Sequence, residues 1–509
     1  MPSPHTHATE PSTAWNRRQW GTLLVLCAAM FLDSLDTSMV GVALPSIGTD
    51  LHLSTSSLQW VVSGYVLGYG GLLLLGGRAA DLLGRRRVFL VALAVFAAAS
   101  VLGGLVDSGG LLIVSRFVKG LSAAFTAPAG LSIITTTFAE GPVRNRALSI
   151  YAACAASGFS TGLVVSGLLT EVNWRWTMLL PGPIALLALL AGLRLIPNSP
   201  RKNSRKGGYD LPGALTGTAG MLLLVLTVVQ APAAGWGSAR TLLCFALVAG
   251  LLTAFVVIEH RSAHPLVRLG VLRSANQIRA HLGGVAFFGS YVGFQFLATQ
   301  YMQYLLGWSA LQTALAFLPA GALVTIASTR IGPVIDRFGT LRVIAVGFTA
   351  LTLCYALFLR ADLTPRYAAV VLPSMLLLGL ACTLTFPSLN IQATNAVDEK
   401  EQGMVSGLLN SSFQIGGAVV LAVVTATVTA TGGNHPGSPH RLLDSYRPGL
   451  VVVTLIALAG LLVTLTGLRS DRRGHTAVGA PSAPVTAEEI ATTVPGRDCA
   501  RTDSPRNGA

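Results

Sequence analysis

The feature that most constrains this sequence is a series of long apolar runs with almost no formal charge. Val88 to Val106, Leu111 to Phe138 and Ala147 to Thr170 are three of them, and about 20 such residues cross a bilayer as a helix. Hydrophobic residues make up 52% of the chain and charged residues only 11%, against about 25% charged in soluble domains. Because a soluble fold could not bury so much apolar surface, the sequence predicts an all-α polytopic membrane protein.

The apolar runs predict fourteen transmembrane helices. They are predicted at 20–44, 57–76, 88–106, 111–138, 147–170, 176–196, 211–232, 240–259, 281–305, 311–334, 343–360, 366–392, 405–430 and 448–468. Lys and Arg concentrate in alternate connections, which are the inner ones when the N-terminus is cytoplasmic. We therefore expect a multi-pass protein of the cell (plasma) membrane with both termini in the cytoplasm.

The polar connections divide these helices into groups of six, two and six. The stretch Ile196 to Asp210 is rich in Pro, Ser and Lys, a composition typical of a linker. The predicted segments are a disordered tail at 1–15, a six-helix bundle at 16–196, a cytosolic linker at 197–210, an extra helix pair at 211–259, a cytosolic connection at 260–279, a second six-helix bundle at 280–468 and a disordered tail at 469–509.

Four charged residues lie deep in the predicted helices. Asp33 and Asp36 share a face of the first helix, and Arg116 and Lys119 share a face of the fourth. Asp36 and Lys119 both lie about 12 Å from the outer ends of their helices. Charges in hydrocarbon are costly and mark ion or proton paths, so Asp33, Asp36 and Arg116 are predicted to couple transport to protons. The alternative is a static buried pair that only fixes helix packing.

A repeated loop indicates an internal duplication. GRAADLLGRRR, from Gly77 to Arg87, returns as GPVIDRFGTLR, from Gly332 to Arg342. Glycines allow a tight turn between helices, and the acid can meet a helix N-terminus or a basic residue. The predicted gating residues are Gly77, Asp81, Gly84, Arg85, Arg86, Asp336 and Gly339. The alternative is a signal for membrane orientation alone.

Two further patterns predict packing and a cavity. Gly158, Gly162 and Gly167 let neighbouring backbones approach the fifth helix. The ninth helix is rich in aromatic residues and amides, which suit a bulky, partly apolar ligand, although such residues more often serve packing. The candidates for the substrate cavity are Lys119, Phe125, Tyr291, Phe294, Gln295 and Asn390.

Several other classes of function are disfavoured. The sequence contains no GxxxxGK[ST] phosphate loop and no convincing nucleophile-base spacing, which argues against ATP-driven transport and against an enzyme. The six cysteines lack metal-ligand spacing. The net charge of +14 is scattered over short loops, so we assign it to membrane orientation rather than nucleic acid. We expect no metal or cofactor, and a monomer whose partners are a small molecule, protons and lipid.

With these residues identified, the chain resembles the major facilitator superfamily, in its fourteen-span drug:proton antiporter branch. GRAADLLGRRR resembles the family motif after helix two, and LDTSMVGVALP, from Leu35 to Pro45, resembles the first-helix signature. Arg116 to Gly120 resembles R-x-x-Q-G, with Lys119 in place of Gln. Gly158 to Gly162 resembles the antiporter motif G-x-x-x-G-P, with Leu163 in place of Pro.

The resemblance implies two six-helix bundles around a central cavity, with the extra pair outside it. It also implies proton-driven efflux of antibiotics or other amphiphiles by alternating access, with Asp36, alone or shared with Asp33, taking a proton from outside as cargo leaves. Two alternatives stay open. One is a proton-coupled symporter that imports a small metabolite, and the other is a membrane sensor or complex subunit without cargo flux.

Overall fold

A computed structural model describes residues 15–139, 142–197, 211–262, 270, 274–328, 330–364, 367–395, 399–431 and 438–478. Throughout these residues the regular elements are helices. The helices are α1 (Arg17–Asp50), α2 (Thr55–Leu83), α3 (Arg85–Leu105), α4 (Gly109–Thr137), α5 (Pro142–Val172), α6 (Arg175–Leu179), α7 (Pro181–Leu195), α8 (Leu211–Ala234), α9 (Ala239–Arg261), α10 (Ala275–Gln300), α11 (Ala310–Ser328), α12 (Ile331–Phe338), α13 (Thr340–Phe358), α14 (Leu372–Thr394), α15 (Glu399–Ala430) and α16 (Pro439–Val478). The predicted N-terminal tail and the linker at 197–210 lie almost entirely outside the described residues, as do half of the connection at 260–279 and the C-terminal tail from 479 onwards. Residues 469–478, predicted as part of a disordered tail, instead continue α16.

The prediction of a multi-pass membrane protein is confirmed. In the described part of the chain, 13 helices are long and apolar enough to cross a membrane. The remaining predicted span, 57–76, lies within α2, a helix of 29 residues. Large apolar side chains cover the outside, with Leu187 67% exposed and Leu243 72% exposed. Such a surface is stable in lipid, where the helices satisfy their own backbone hydrogen bonds.

Two predicted helices are interrupted. The predicted helix at 176–196 divides into α6 and α7, because Pro181 has no N–H for the helix to use and is suited to a first helical position. The predicted helix at 311–334 ends at Ser328, and α12 forms separately. The first part of the second loop copy therefore forms a short helix of its own, α12.

Close helix contacts define the first half of the chain. The helix α1 packs against α5 and α7, and α2 packs against α4. A Cβ added to Gly162 would lie 2.6 Å from the Leu35 carbonyl oxygen, and one added to Gly167 would lie 2.9 Å from Leu311 Cα in α11. Gly158 likewise lies against the backbone of Phe31. All three predicted packing glycines therefore lie where side chains could not fit.

The second half repeats this arrangement, and the two halves meet along two seams. In the second half α10 packs against α15, and α13 and α11 pack against α14. The seams between halves are α5 with α11 and α2 with α15. The chain up to Gly467 forms one compact unit, and Leu468–Ala509 forms another, so the division into two bundles stays a prediction.

The extra helix pair covers one seam from outside. Val225, Val228 and Val229 of α8 form an apolar cluster with residues of both α2 and α15, and α9 packs on α8. The residues supplied by the two halves are Val66, Leu67, Ala418 and Ala422. The helix α8 therefore contacts both halves at once.

Candidate proton and substrate site

The four intramembrane charges form two groups. Asp36 is completely buried and accepts hydrogen bonds from Arg116 Nη1 and, at 2.5 Å, from Lys119 Nζ. The side chains of Arg116 and Lys119 are 2% and 0% exposed. The matching depths estimated from the sequence therefore correspond to a buried ion triad, which we call the Asp36 triad.

Asp33 lies beside this triad but has a different partner. Its Oδ1 accepts a hydrogen bond from the Tyr65 hydroxyl of α2, and the carboxylate is 9% exposed. This partner is an uncharged phenol, and among the described residues no cation forms an ion pair with Asp33, whereas two do so with Asp36. Sequence reasoning missed Tyr65, because an uncharged tyrosine in an apolar helix has no distinguishing spacing.

Backbone contacts hold both groups in place. Gly120 follows Lys119 in α4, and a Cβ added there would lie 3.0 Å from Tyr65 Cα. Arg116 Nε donates to the Val61 carbonyl oxygen at 3.2 Å, and its guanidinium lies 4.7 Å from the centre of the Tyr65 ring. A cation over an aromatic face is attracted by the ring. The glycine contact thus brings the tyrosine of α2 against the arginine of α4.

A cavity lies between the two halves next to these charges. Thr37, Gly41, Tyr65 and Arg116 line it from the first half. The second half supplies the other part of its wall. Those residues are Phe288, Val292, Gln295, Phe296, Gln414 and Leu421. The space open to the centres of water molecules is about 40 Å³, whereas pockets for drug-sized ligands are roughly 300–1,000 Å³. The cavity is therefore too small for a drug-sized ligand in this conformation.

Of the six residues proposed to line a substrate cavity, Gln295 lines this one. Its Nε2 is buried without a hydrogen-bond partner in the described structure. Lys119 instead lies in the Asp36 triad. Phe125 packs against apolar residues of the first half, and Asn390 donates to a carbonyl of its own helix at 2.9 Å.

The two aromatic candidates on α10 have different environments. Tyr291 lies 6.0 Å from the Phe159 ring of α5 and therefore contributes to the contact between halves. Phe294 is not a cavity residue here, because it is fully buried against Tyr355 and Phe358, whose ring centres lie 4.7 and 5.0 Å away. Adjacent helical residues differ by about 100° in direction, so Phe294 and Gln295 face different surroundings.

The repeated loop has the same backbone geometry in both copies. Gly84 separates α2 from α3 with φ +94°, and Gly339 separates α12 from α13 with φ +81°. Residues with a Cβ rarely adopt such angles, which explains the repeated glycine. Arg85 and Arg86 donate to the carbonyls of Ser132 and Leu193, at 3.2 and 2.5 Å.

The other members of the repeated loop show less contact. Asp336 is exposed on α12, and Gly332 has open space around it. Gly77 faces Pro128, which a Cβ would approach to 3.8 Å. The side chain of Asp81 lies outside the described residues, so the gating role of this loop stays a prediction.

Hydrogen bonds join the two halves at the predicted outer end. Gln303 Nε2 donates to the Val42 carbonyl at 2.9 Å, and the Tyr304 hydroxyl donates to the Pro45 carbonyl at 3.3 Å. Glu171 accepts from the backbone N–H of Leu311 at 3.1 Å. These bonds hold the two halves together at the predicted outer side.

Comparison with known proteins identifies relatives along most of the chain. A profile described as Major Facilitator Superfamily matches residues 26–421. The chain is 37% identical over 489 residues to the puromycin resistance protein pur8 of Streptomyces alboniger, covering 92% of this chain and 95% of that protein. It is also 37% identical over 448 residues to the cephamycin export protein CmcT of Amycolatopsis lactamdurans, covering 87% and 91%.

Solved structures share the fold. The POT family transporter PepTSo superposes with a TM-score of 0.64 at 17% identity, covering 90% of this chain and 99% of that one. At this identity the likeness concerns the arrangement of helices alone.

Proposed function

This chain belongs to the Major Facilitator Superfamily and is an efflux transporter, and we propose that it exports antibiotics or other small amphiphilic compounds in exchange for protons, by alternating access. It is a transporter of small molecules rather than an enzyme. One observation carries the proposal. Buried carboxylates and cations adjoin a small cavity whose walls come from both halves.

The contacts of the two acids favour Asp33 as the group that exchanges protons. Protonating Asp36 would leave Arg116 and Lys119 buried without their counter-charge. Removing one partner of a buried ion pair costs about 3–5 kcal/mol, and we expect a similar cost here. Protonating Asp33 changes its hydrogen bond with the neutral Tyr65 but breaks no ion pair among the described residues, because Arg116 and Lys119 contact Asp36 instead. The sequence alone favoured Asp36, and we now assign to Asp36 the task of holding the two cations.

The proposed cycle follows from this assignment. Cargo enters from the cytoplasm while Asp33 is ionised, and the halves rock until the bonds of Gln303 and Tyr304 break at the outer end. Asp33 then takes a proton from outside as cargo leaves. The proton gradient supplies the energy, and no cofactor is required.

The proposed setting is the plasma membrane, with both termini cytoplasmic and the protein acting as a monomer without nucleic acid. The alternation of Lys and Arg among the connections supports this orientation. Residues tagged at either terminus should react with a membrane-impermeant reagent only after the cells are opened.

The decisive experiment is a resistance panel in a sensitive bacterial host that expresses the chain, with and without an uncoupler. Puromycin and a cephamycin are the first compounds to try. We expect increased resistance and lower cellular cargo, both lost on uncoupling. Purified protein in liposomes should exchange the same compound for protons.

Matched variants assign the effect to the site. Asp33→Asn should abolish proton-driven export, whereas Asp444→Asn should not, because Asp444 is 65% exposed in a surface pair with Arg447. Cargo that falls on uncoupling would instead identify an importer. Absence of flux in liposomes at any pH difference would indicate a sensor or a subunit.

A further inference from the structure

Tyr65 connects three parts of the site. Its hydroxyl bonds Asp33, its ring lies against Arg116, and its side chain lines the cavity. It is 2% exposed, and the contact with Gly120 fixes its backbone. A change at Asp33 therefore reaches the cavity wall through one side chain that cannot easily move away.

A phenol hydroxyl has a single proton to donate and also accepts hydrogen bonds. When Asp33 is ionised it can only accept, so the Tyr65 proton points to Asp33. An oxygen lone pair then remains for the neighbouring Thr37 hydroxyl or for cargo in the cavity that Thr37 and Tyr65 both line. When Asp33 is protonated, its O–H can donate to the Tyr65 oxygen. The Tyr65 O–H then turns towards the cavity. The cavity wall thus presents an acceptor in one state and a donor in the other.

We propose that Tyr65 couples cargo to protons by this reversal of the Asp33–Tyr65 hydrogen bond, and that the cargo presents an uncharged N–H or O–H donor to Tyr65. The inference rests on the proposed exchange function. Such a donor bonds the Tyr65 oxygen while Asp33 is ionised and loses its acceptor when Asp33 takes a proton. Proton uptake therefore expels cargo, as antiport requires.

The surrounding charges favour an uncharged donor over a cation. The guanidinium of Arg116 lines the same cavity and repels a cationic group. Of the two carboxylates that could attract one, Asp36 is already bound by two cations, and Asp33 is bonded by the Tyr65 hydroxyl and is not among the residues that line the cavity. Asp36 on α1, Tyr65 on α2 and Arg116 on α4 act on Asp33, and Asp33 acts in turn on the phenols of Tyr69 on α2 and Tyr151 on α5.

The test compares Tyr65→Phe with Tyr69→Phe in the purified full chain in lipid nanodiscs. Both substitutions remove one hydroxyl and keep the ring, and Tyr69 lies one turn further along α2. Infrared difference spectra follow the protonated carboxyl band as pH changes, and the band lost in Asp33→Asn identifies Asp33. Tyr65→Phe removes a donor from a carboxylate, so the proton affinity of Asp33 should increase about tenfold or more.

Puromycin then tests the link to cargo. In the unmodified chain and in Tyr69→Phe, puromycin should lower the proton affinity of Asp33 and release protons, and in Tyr65→Phe it should do neither. Equal Asp33 titrations in Tyr65→Phe and the unmodified chain would overturn the inference. So would unchanged proton exchange by Tyr65→Phe in liposomes, while the proposed function would stand. If the unmodified chain moves no puromycin, the proposed function fails for that compound, and the cargo-free titration still decides the role of Tyr65.

Discussion

Removing the carboxylate of the Asp36 triad should destabilise the fold as well as stop transport. In Asp36→Asn, Arg116 and Lys119 stay buried at 2% and 0% exposure without their shared counter-charge. Breaking a buried ion pair in this way costs about 3–5 kcal/mol. By contrast, Asp33→Asn keeps an oxygen that can accept from Tyr65, so it should cost about 1 kcal/mol.

A double-mutant cycle isolates the charge interaction. Lys119→Gln removes one of the two cations, so in Asp36→Asn/Lys119→Gln only Arg116 remains unneutralised within the triad. The double variant should therefore be more stable than the sum of the single effects by about 1–3 kcal/mol. Stability can be measured by titrating the protein from mild detergent into SDS and following helix content.

Two results together would refute a buried, fixed triad. If Asp36→Asn lowers the free energy of unfolding by less than about 1 kcal/mol and shows no coupling to Lys119→Gln, the triad is solvated or rearranges freely. The carboxylate would then not be needed to hold the two cations, and the case for Asp33 as the exchanging acid would lose its basis.

Three further predictions concern packing and closure. Gly162→Ala should lower the thermal-unfolding temperature and the expression of the protein, because the added Cβ would crowd the Leu35 backbone. Gly332→Ala should leave the thermal-unfolding temperature unchanged, since nothing lies within 4 Å of a Cβ added there. Gly339→Ala should cost about 1–2 kcal/mol in SDS unfolding, because an alanine is strained at its positive φ; a cost near zero would contradict this. Gln303→Ala should increase labelling of cysteines introduced at the outer end, because a bond between halves is lost, and unchanged labelling would show that this bond does not hold the halves together.

The sequence predicts the membrane class and the helices well, because hydrophobic length alone determines both. It also places Asp36 at the depth of Lys119, since a constant rise per residue converts position into depth. It cannot separate the roles of Asp33 and Asp36, which lie three residues apart in the same helix. Their difference comes from Tyr65 on another helix, and no local pattern reports that contact.

The misplacement of Phe294 has a similar cause. An aromatic stretch on α10 predicts that some rings face a ligand, but the rotation of the helix within the bundle decides which ones do. Phe294 enters a cluster with Tyr355 of α13, while Gln295 next to it reaches the cavity. Tertiary packing fixes that rotation, and composition does not.

The position of α8 has a consequence for the route that cargo can take from the bilayer. This helix rests on α2 and α15 together, so acyl chains and dissolved amphiphiles meet a barrier along that seam. In the proposed rocking motion α8 would have to slide over one of these two helices. On α15 it contacts the small side chains of Ala418 and Ala422, which would obstruct such sliding little. We therefore expect that compounds dissolved in the lipid do not enter along the seam between α2 and α15.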